Sequence, residues 1–149
     1  MSGGDLPFID EHRVLVAAPA DAVWRSLGAH LASPRFSASE VYARLVAAEP
    51  NRASGTPLAE GSTLPGFRVA EAVPGQRARL TGRHLFSRYA LTLSATAEAG
   101  GTALSALSHA EFPGPHGLVY RGLVIGTGAH RIFVRHLLHS VRRRAEHVG

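Results

Sequence analysis

Residues 116–147 read HGLVYRGLVIGTGAHRIFVRHLLHSVRRRAEH, and their periodicity decides the fold. At 100° per residue, Val119, Leu123, Thr127, His130, Val134, Leu137, Leu138 and Val141 fall on one stripe. Arg121, Arg131, Arg135, His139, Arg142 and Arg143 fall mostly on the opposite side. The spacing predicts one amphipathic helix from about His116 to His147, roughly 45 Å long at 1.5 Å per residue. Such a helix needs a broad surface to lie on. The strand-like segments before it, which end at Phe112-Pro113-Gly114-Pro115, can supply a curved antiparallel sheet. A long helix held by a curved sheet leaves room for a cavity between them.

Working towards the N-terminus, Thr102 to Phe112, Leu85 to Thr96, Gln76 to Gly82 and Phe67 to Val73 read as strands. Gly100-Gly101 and Pro74-Gly75 mark the turns between them. Residues 50–66 are rich in Gly, Pro, Ser and Thr and read as loops around a short strand. Glu40 to Glu49 reads as a further strand. Phe8 to Ala17 has strand character, with His12, Val14 and Val16 alternating against Arg13, Leu15 and Ala17. Pro19 then opens a short helix, in whose first turn proline is tolerated and Asp21 meets the positive helix end. Ala20, Val23, Trp24, Leu27 and Leu31 form its apolar stripe, and Ser33-Pro34-Arg35 ends it. There is no internal repeat. The expected domain is a single one over residues 1–149, with its core at about 8–146.

At 149 residues and 45% hydrophobic composition the chain is long enough for an adequate core. It has no cysteine, which removes disulfides, thiolate catalysis and cysteine-ligated metal. No run of eighteen apolar residues is present, so no transmembrane helix is expected. Asp5, Asp10 and Glu11 near the start, without a basic region, do not suit a signal peptide, and the expected location is the cytoplasm. All sixteen basic residues are arginine, which together with abundant Ala, Gly and Pro fits GC-rich coding. Three of them, Arg142-Arg143-Arg144, suit the negative end of a helix. No basic patch with interleaved aromatics is visible, so no nucleic-acid partner is expected.

The ordered set of Arg13-Val14-Leu15-Val16-Ala17-Ala18-Pro19-Ala20-Asp21-Ala22-Val23-Trp24, the Pro74-Gly75 turn, the strand pair around Gly100-Gly101 and the final helix resembles the START-like or SRPBCC superfamily. The resemblance covers about residues 8–146. It implies the helix-grip fold, of class α+β: a curved antiparallel sheet of about six or seven strands wrapped around a long C-terminal helix. Members include polyketide cyclases and dehydratases, plant hormone and allergen proteins, and lipid carriers. They commonly bind an apolar small molecule between sheet and helix. The superfamily shares no catalytic residues, so none is carried over and no catalytic residue is assigned.

Candidate ligand-binding residues follow from the inferred inward faces. His130 lies near the centre of the apolar stripe with Leu123 and Thr127; it is either a hydrogen-bonded core histidine or a polar group orienting a ligand. Tyr89 shares a strand face with Leu91 and Leu93. Leu104, Ala106, Ser108, Ala110 and Phe112 share the next, where Ala106 and Ser108 leave volume. Glu71 alternates with Phe67, Val69 and Val73, and a carboxylate there must sit at a rim, pair with arginine, or serve as a pocket acid.

Other motifs lead nowhere. Val124-Ile125-Gly126-Thr127-Gly128-Ala129 begins like a dinucleotide fingerprint, but residue 131 is arginine where the third glycine belongs. Gly122, Gly126 and Gly128 instead thin the helix at about 1 kcal/mol each, which points to close sheet approach, a bend, or room for a ligand. His136 and His139 have ligand spacing but no third ligand, so neither metal nor cofactor is expected. The expected function is binding of an apolar or amphipathic small molecule, such as a lipid or polyketide. The alternatives are a polyketide cyclase/aromatase or dehydratase, and an interaction module with a vestigial pocket.

Overall fold

The computed structural model describes residues 6–32, 55–56, 58–64, 67–84, 87–122 and 128–148; of residues 84, 129, 130 and 148 only the backbone is described. The described elements are β1 (Phe8–Val16), α1 (Ala20–Leu31), β2 (Thr63–Leu64), β3 (Phe67–Val73), β4 (Arg77–His84), β5 (Ser87–Glu98), β6 (Gly101–Glu111), α2 (Gly114–Arg121) and α3 (Ala129–Val148). The strands form one antiparallel sheet in the order β1-β6-β5-β4-β3-β2. The segment expected as a strand at Glu40 to Glu49 lies outside the described residues.

Period-two alternation builds the sheet. On β5, Leu91, Leu93 and Ala95 are buried, and on β6 Leu104, Ala106, Ser108 and Ala110 are buried. With Ala78 and Leu80 of β4, Val69 of β3 and Val16 of β1 they make one inner face. Two β-bulges punctuate it. One lies between Phe8 and Asp10, the other between Val69 and Glu71. Each adds a residue to its strand, bends it and sharpens the local twist, which curves the sheet near both edges.

The C-terminal helix packs against this face, β1 and α1. Val134, Leu137, Leu138, Val141 and Ala145 of α3 are all buried, and so are Val23, Leu27 and Leu31 of α1. Trp24 is partly buried and packs on the same core. The helix differs from the single rod that its periodicity predicts. Gly128 has φ +81°, a left-handed conformation that no helix interior accommodates. The helical sequence is therefore divided into α2 and the 20-residue α3, and Val119 of the predicted stripe is exposed on α2. Among the reasons expected for the glycine run, a bend of the chain matches the positive φ at Gly128.

The far end of α3 is tied to the β1–α1 junction. A Glu146 carboxylate oxygen accepts the Ala17 backbone N–H at 2.9 Å and an Arg142 hydrogen bond at 3.3 Å. The buried Thr102 hydroxyl donates to the Ala18 carbonyl at 2.7 Å. Beside it the β5–β6 turn presses on the end of β1. At Gly101, φ is +145°, and a β-carbon there would run into the Val16 carbonyl.

The Ala17 N–H, then Arg142, hold the Glu146 carboxyl below its ordinary range. A lowered folded-state value stabilises the fold above the unfolded value and loses that contribution as pH falls through the lowered one. Glu146→Ala should lower the Tm at pH 7, and the difference from wild type should close as the pH is taken below about 4. Gly101→Ala should cost about 2–4 kcal/mol in urea unfolding, since it combines backbone strain with a steric clash.

Candidate functional site

Cross-strand register places the inner side chains in rows. Nearest the β5–β6 turn, Val16 of β1 faces Thr102, and Val14 faces Leu104, which in turn faces Ala95. The next row reads His12, Ala106, Leu93, Ala78 and Ala72 from β1 to β3. Beyond it come Asp10, Ser108, Leu91, Leu80 and Val69. The outermost of these rows holds Ala110, Tyr89 and Gly82, with Phe67 beyond. The turn end is filled: Val16, Thr102, Leu93, Leu104 and Ala106 are each 0% exposed. Towards the opposite end the face opens, and Asp10, His12, Phe67, Gly82 and Tyr89 are only partly buried.

Down the middle of this face runs a line of small side chains, Ala106, Ser108 and Ala110, on β6. On one side stand Leu93, Leu91 and Tyr89 of β5. On the other stand His12 and Asp10 of β1. Relative to its neighbours β6 is a trough. At its open end the Phe67 and Tyr89 rings meet edge to face, centroids 5.3 Å apart. Gly82 lies beside Tyr89 on the intervening strand β4 and puts no side chain between the rings.

Asp10 and His12 form the polar wall. They are two residues apart on one strand face, and His12 Nε2 lies 3.2 Å from Asp10 Oδ2. Their side chains are 20% (His12) and 25% (Asp10) exposed. Ser108, 4% exposed, stands directly across from Asp10. The bulge at Ile9 lies immediately before the pair, where such irregularities commonly re-aim a side chain.

The residues expected from sequence divide accordingly. Tyr89 and Ser108 both lie on the inner face, two rungs of β5 and β6 bordering the trough. Glu71 leaves the row of Phe67 and Val69: the extra residue at Ala70 reverses the phase, so Glu71 is exposed beside Arg79 and Ala72 takes the inner position. Phe112 stands past the end of β6 against α2, its ring 6.3 Å from that of Tyr120 with the Arg121 guanidinium 5.9 Å from its centroid. Leu123 and Thr127 lie outside the described residues, as does the His130 side chain; the His130 backbone is in the first turn of α3. His136 and His139 are exposed. Among the described residues no three His, Asp or Glu side chains gather to hold a metal, and no helix is long and apolar enough to cross a membrane. Asp10 was the residue that alternation could have found. It continues the His12, Val14, Val16 face by one more step of two.

No protein-family profile matches the sequence, and no curated protein does. Solved structures do match. A Chromobacterium violaceum protein aligns over 94% of this chain and 99% of its own, with 18% identity and a TM-score of 0.54. StfQ, the di-domain ARO/CYC of the steffimycin biosynthetic pathway, aligns over 97% of this chain with 14% identity and a TM-score of 0.55. DynU16, from the dynemicin biosynthetic locus, aligns over 91% with 17% identity and a TM-score of 0.55. This chain spans about half the length of the last two, 52% and 46%. The fold is helix-grip. At such identities the likeness carries the helix-grip architecture and leaves the chemistry to the residues of this chain.

The aromatic corner should be energetically coupled. A double-mutant cycle with Phe67→Leu and Tyr89→Leu, read by urea unfolding, should give a coupling of about 0.5–1.5 kcal/mol in favour of the ring pair.

Proposed function

We propose that the chain binds an apolar or amphipathic small molecule, a lipid, a polyketide or a similar compound, between the inner sheet face and α3. The observation that carries this reading is the trough of Ala106, Ser108 and Ala110, bordered by larger side chains and opening towards partly exposed Tyr89 and Phe67. Binding sites for small molecules are concave and mostly apolar, with a few placed polar groups. Tyr89 and Ser108 belong to this wall. His130, Leu123 and Thr127, in α3 or just before it, are proposed to complete it from the helix side. Glu71 and Phe112 have a weaker claim, given their positions outside the trough.

A second reading is an enzyme of the aromatase/cyclase or dehydratase kind. The half-buried Asp10–His12 pair on the inner face favours it, because ionisable groups inside a pocket are what proton transfer requires. The likeness to StfQ, an ARO/CYC, agrees with this reading in fold.

Two measurements test the binding reading. Native mass spectrometry of the purified protein should show a co-purified small molecule, or titration with 1-anilinonaphthalene-8-sulfonate should give saturable binding. Ala110→Leu, which fills the trough beside Tyr89, should weaken that binding about tenfold or more while the Tm stays within a few degrees. A large loss of stability with unchanged probe affinity would instead mean that the trough is already packed, the vestigial-pocket case.

A further inference from the structure

The inner positions of β1 pose a problem that apolar packing does not answer. Val16 and Val14 continue the core along this face, yet the next two inner positions are His12 and Asp10. Burying a carboxylate or an imidazole is unfavourable unless each is paired, and a well-packed apolar pair of similar volume is often as stable or more so. The polar residues also stand beside small partners. His12 faces Ala106 and Asp10 faces Ser108, the two side chains that form the floor of the trough. A carboxylate, an imidazole and a hydroxyl thus gather along the same line of small side chains, with the Phe67–Tyr89 ring pair at its end.

We propose that Asp10 and His12 form a hydrogen-bonding dyad that takes a hydroxyl group of the bound molecule and so selects hydroxyl-bearing aromatic ligands over their ethers. This rests on reading the inner face as a ligand site. The chemistry follows from the pair itself. When His12 Nε2–H donates to Asp10 Oδ2, at 3.2 Å, the other ring nitrogen, Nδ1, carries a lone pair. The carboxylate keeps further acceptor capacity. Two neighbouring groups that both accept recognise a donor, and an O–H is the donor that an ether lacks. A site built around acceptors discriminates strongly against an analogue without the proton, because its own polar groups then lose their partner in the bound state. Asp10 and His12 are therefore specificity-determining residues; no proton needs to leave the ligand.

The test compares 2-naphthol with 2-methoxynaphthalene by isothermal titration calorimetry at constant pH. The ether is the more apolar of the two, so burial alone favours it. The wild type should nevertheless bind the naphthol about tenfold more tightly. In the double variant Asp10→Leu/His12→Phe, which leaves no single buried charge behind, the preference should vanish while affinity for the ether is kept or improved. A wild type that binds the ether as tightly as the naphthol overturns the dyad and leaves the apolar-binding reading standing. A folded double variant that retains the preference also overturns it. If neither compound binds, the ligand-site reading fails and the dyad with it. The wild-type ratio is read without any variant, so a double variant that does not fold leaves the proposal open to refutation.

Discussion

The burial of one face of α3 is the constraint on which everything else rests. Leu137, Leu138 and Val141 are at most 2% exposed, and they close over Leu93, Leu104 and the α1 residues Val23 and Leu27 in one cluster. Fully burying a side chain of this size contributes about 1.5–3 kcal/mol. The cluster also has a direction. The last turn of α3 ends against the β1–α1 junction, fastened by Glu146 on Ala17. Beside that junction Val16, Thr102 and Leu104 are wholly buried, and in the outermost row Tyr89, Gly82 and Phe67 are partly exposed.

Much of this architecture was legible because it is periodic. The inward faces of β5 and β6 follow from strict alternation, so Tyr89 and Ser108 could be placed before any coordinates. The α1 stripe and the second half of the C-terminal stripe follow from the 3.6-residue period. What periodicity cannot carry is a change of phase. The bulge between Val69 and Glu71 adds one residue with no compositional mark, and that is enough to turn Glu71 outwards. The break at Gly128 was half visible: three glycines in seven residues signalled a local requirement, but not which of them adopts a positive φ. The Asp10–His12 pair escaped for another reason. The strand reading from Phe8 to Ala17 already set His12 on the face of Val14 and Val16, but nothing in the sequence marks Asp10 as the partner that His12 meets at 3.2 Å.

The two bulges share a role although they lie on strands at opposite sides of the sheet. Each adds one residue to its strand against an unbroken partner, Ile9 on β1 against β6 and Ala70 on β3 against β4. The central strands β4, β5 and β6 keep an unbroken register throughout. Irregularity is thus confined to the flanks, where the face must bend to leave a concavity, and excluded from the ladder that carries the long-range pairing.

That arrangement bears on how such a scaffold could diversify. Among the described residues β1 ends the sheet, hydrogen-bonded to β6 alone, so its inner side chains border a single neighbouring strand. A substitution at position 10 or 12 disturbs fewer packed neighbours than one on β5, which is flanked on both sides. The polar wall can therefore be rewritten with little damage to the framework. If the proposed binding role holds, descendants of a chain built this way could exchange one recognised functional group for another while inheriting the same floor, the same aromatic corner and the same helix.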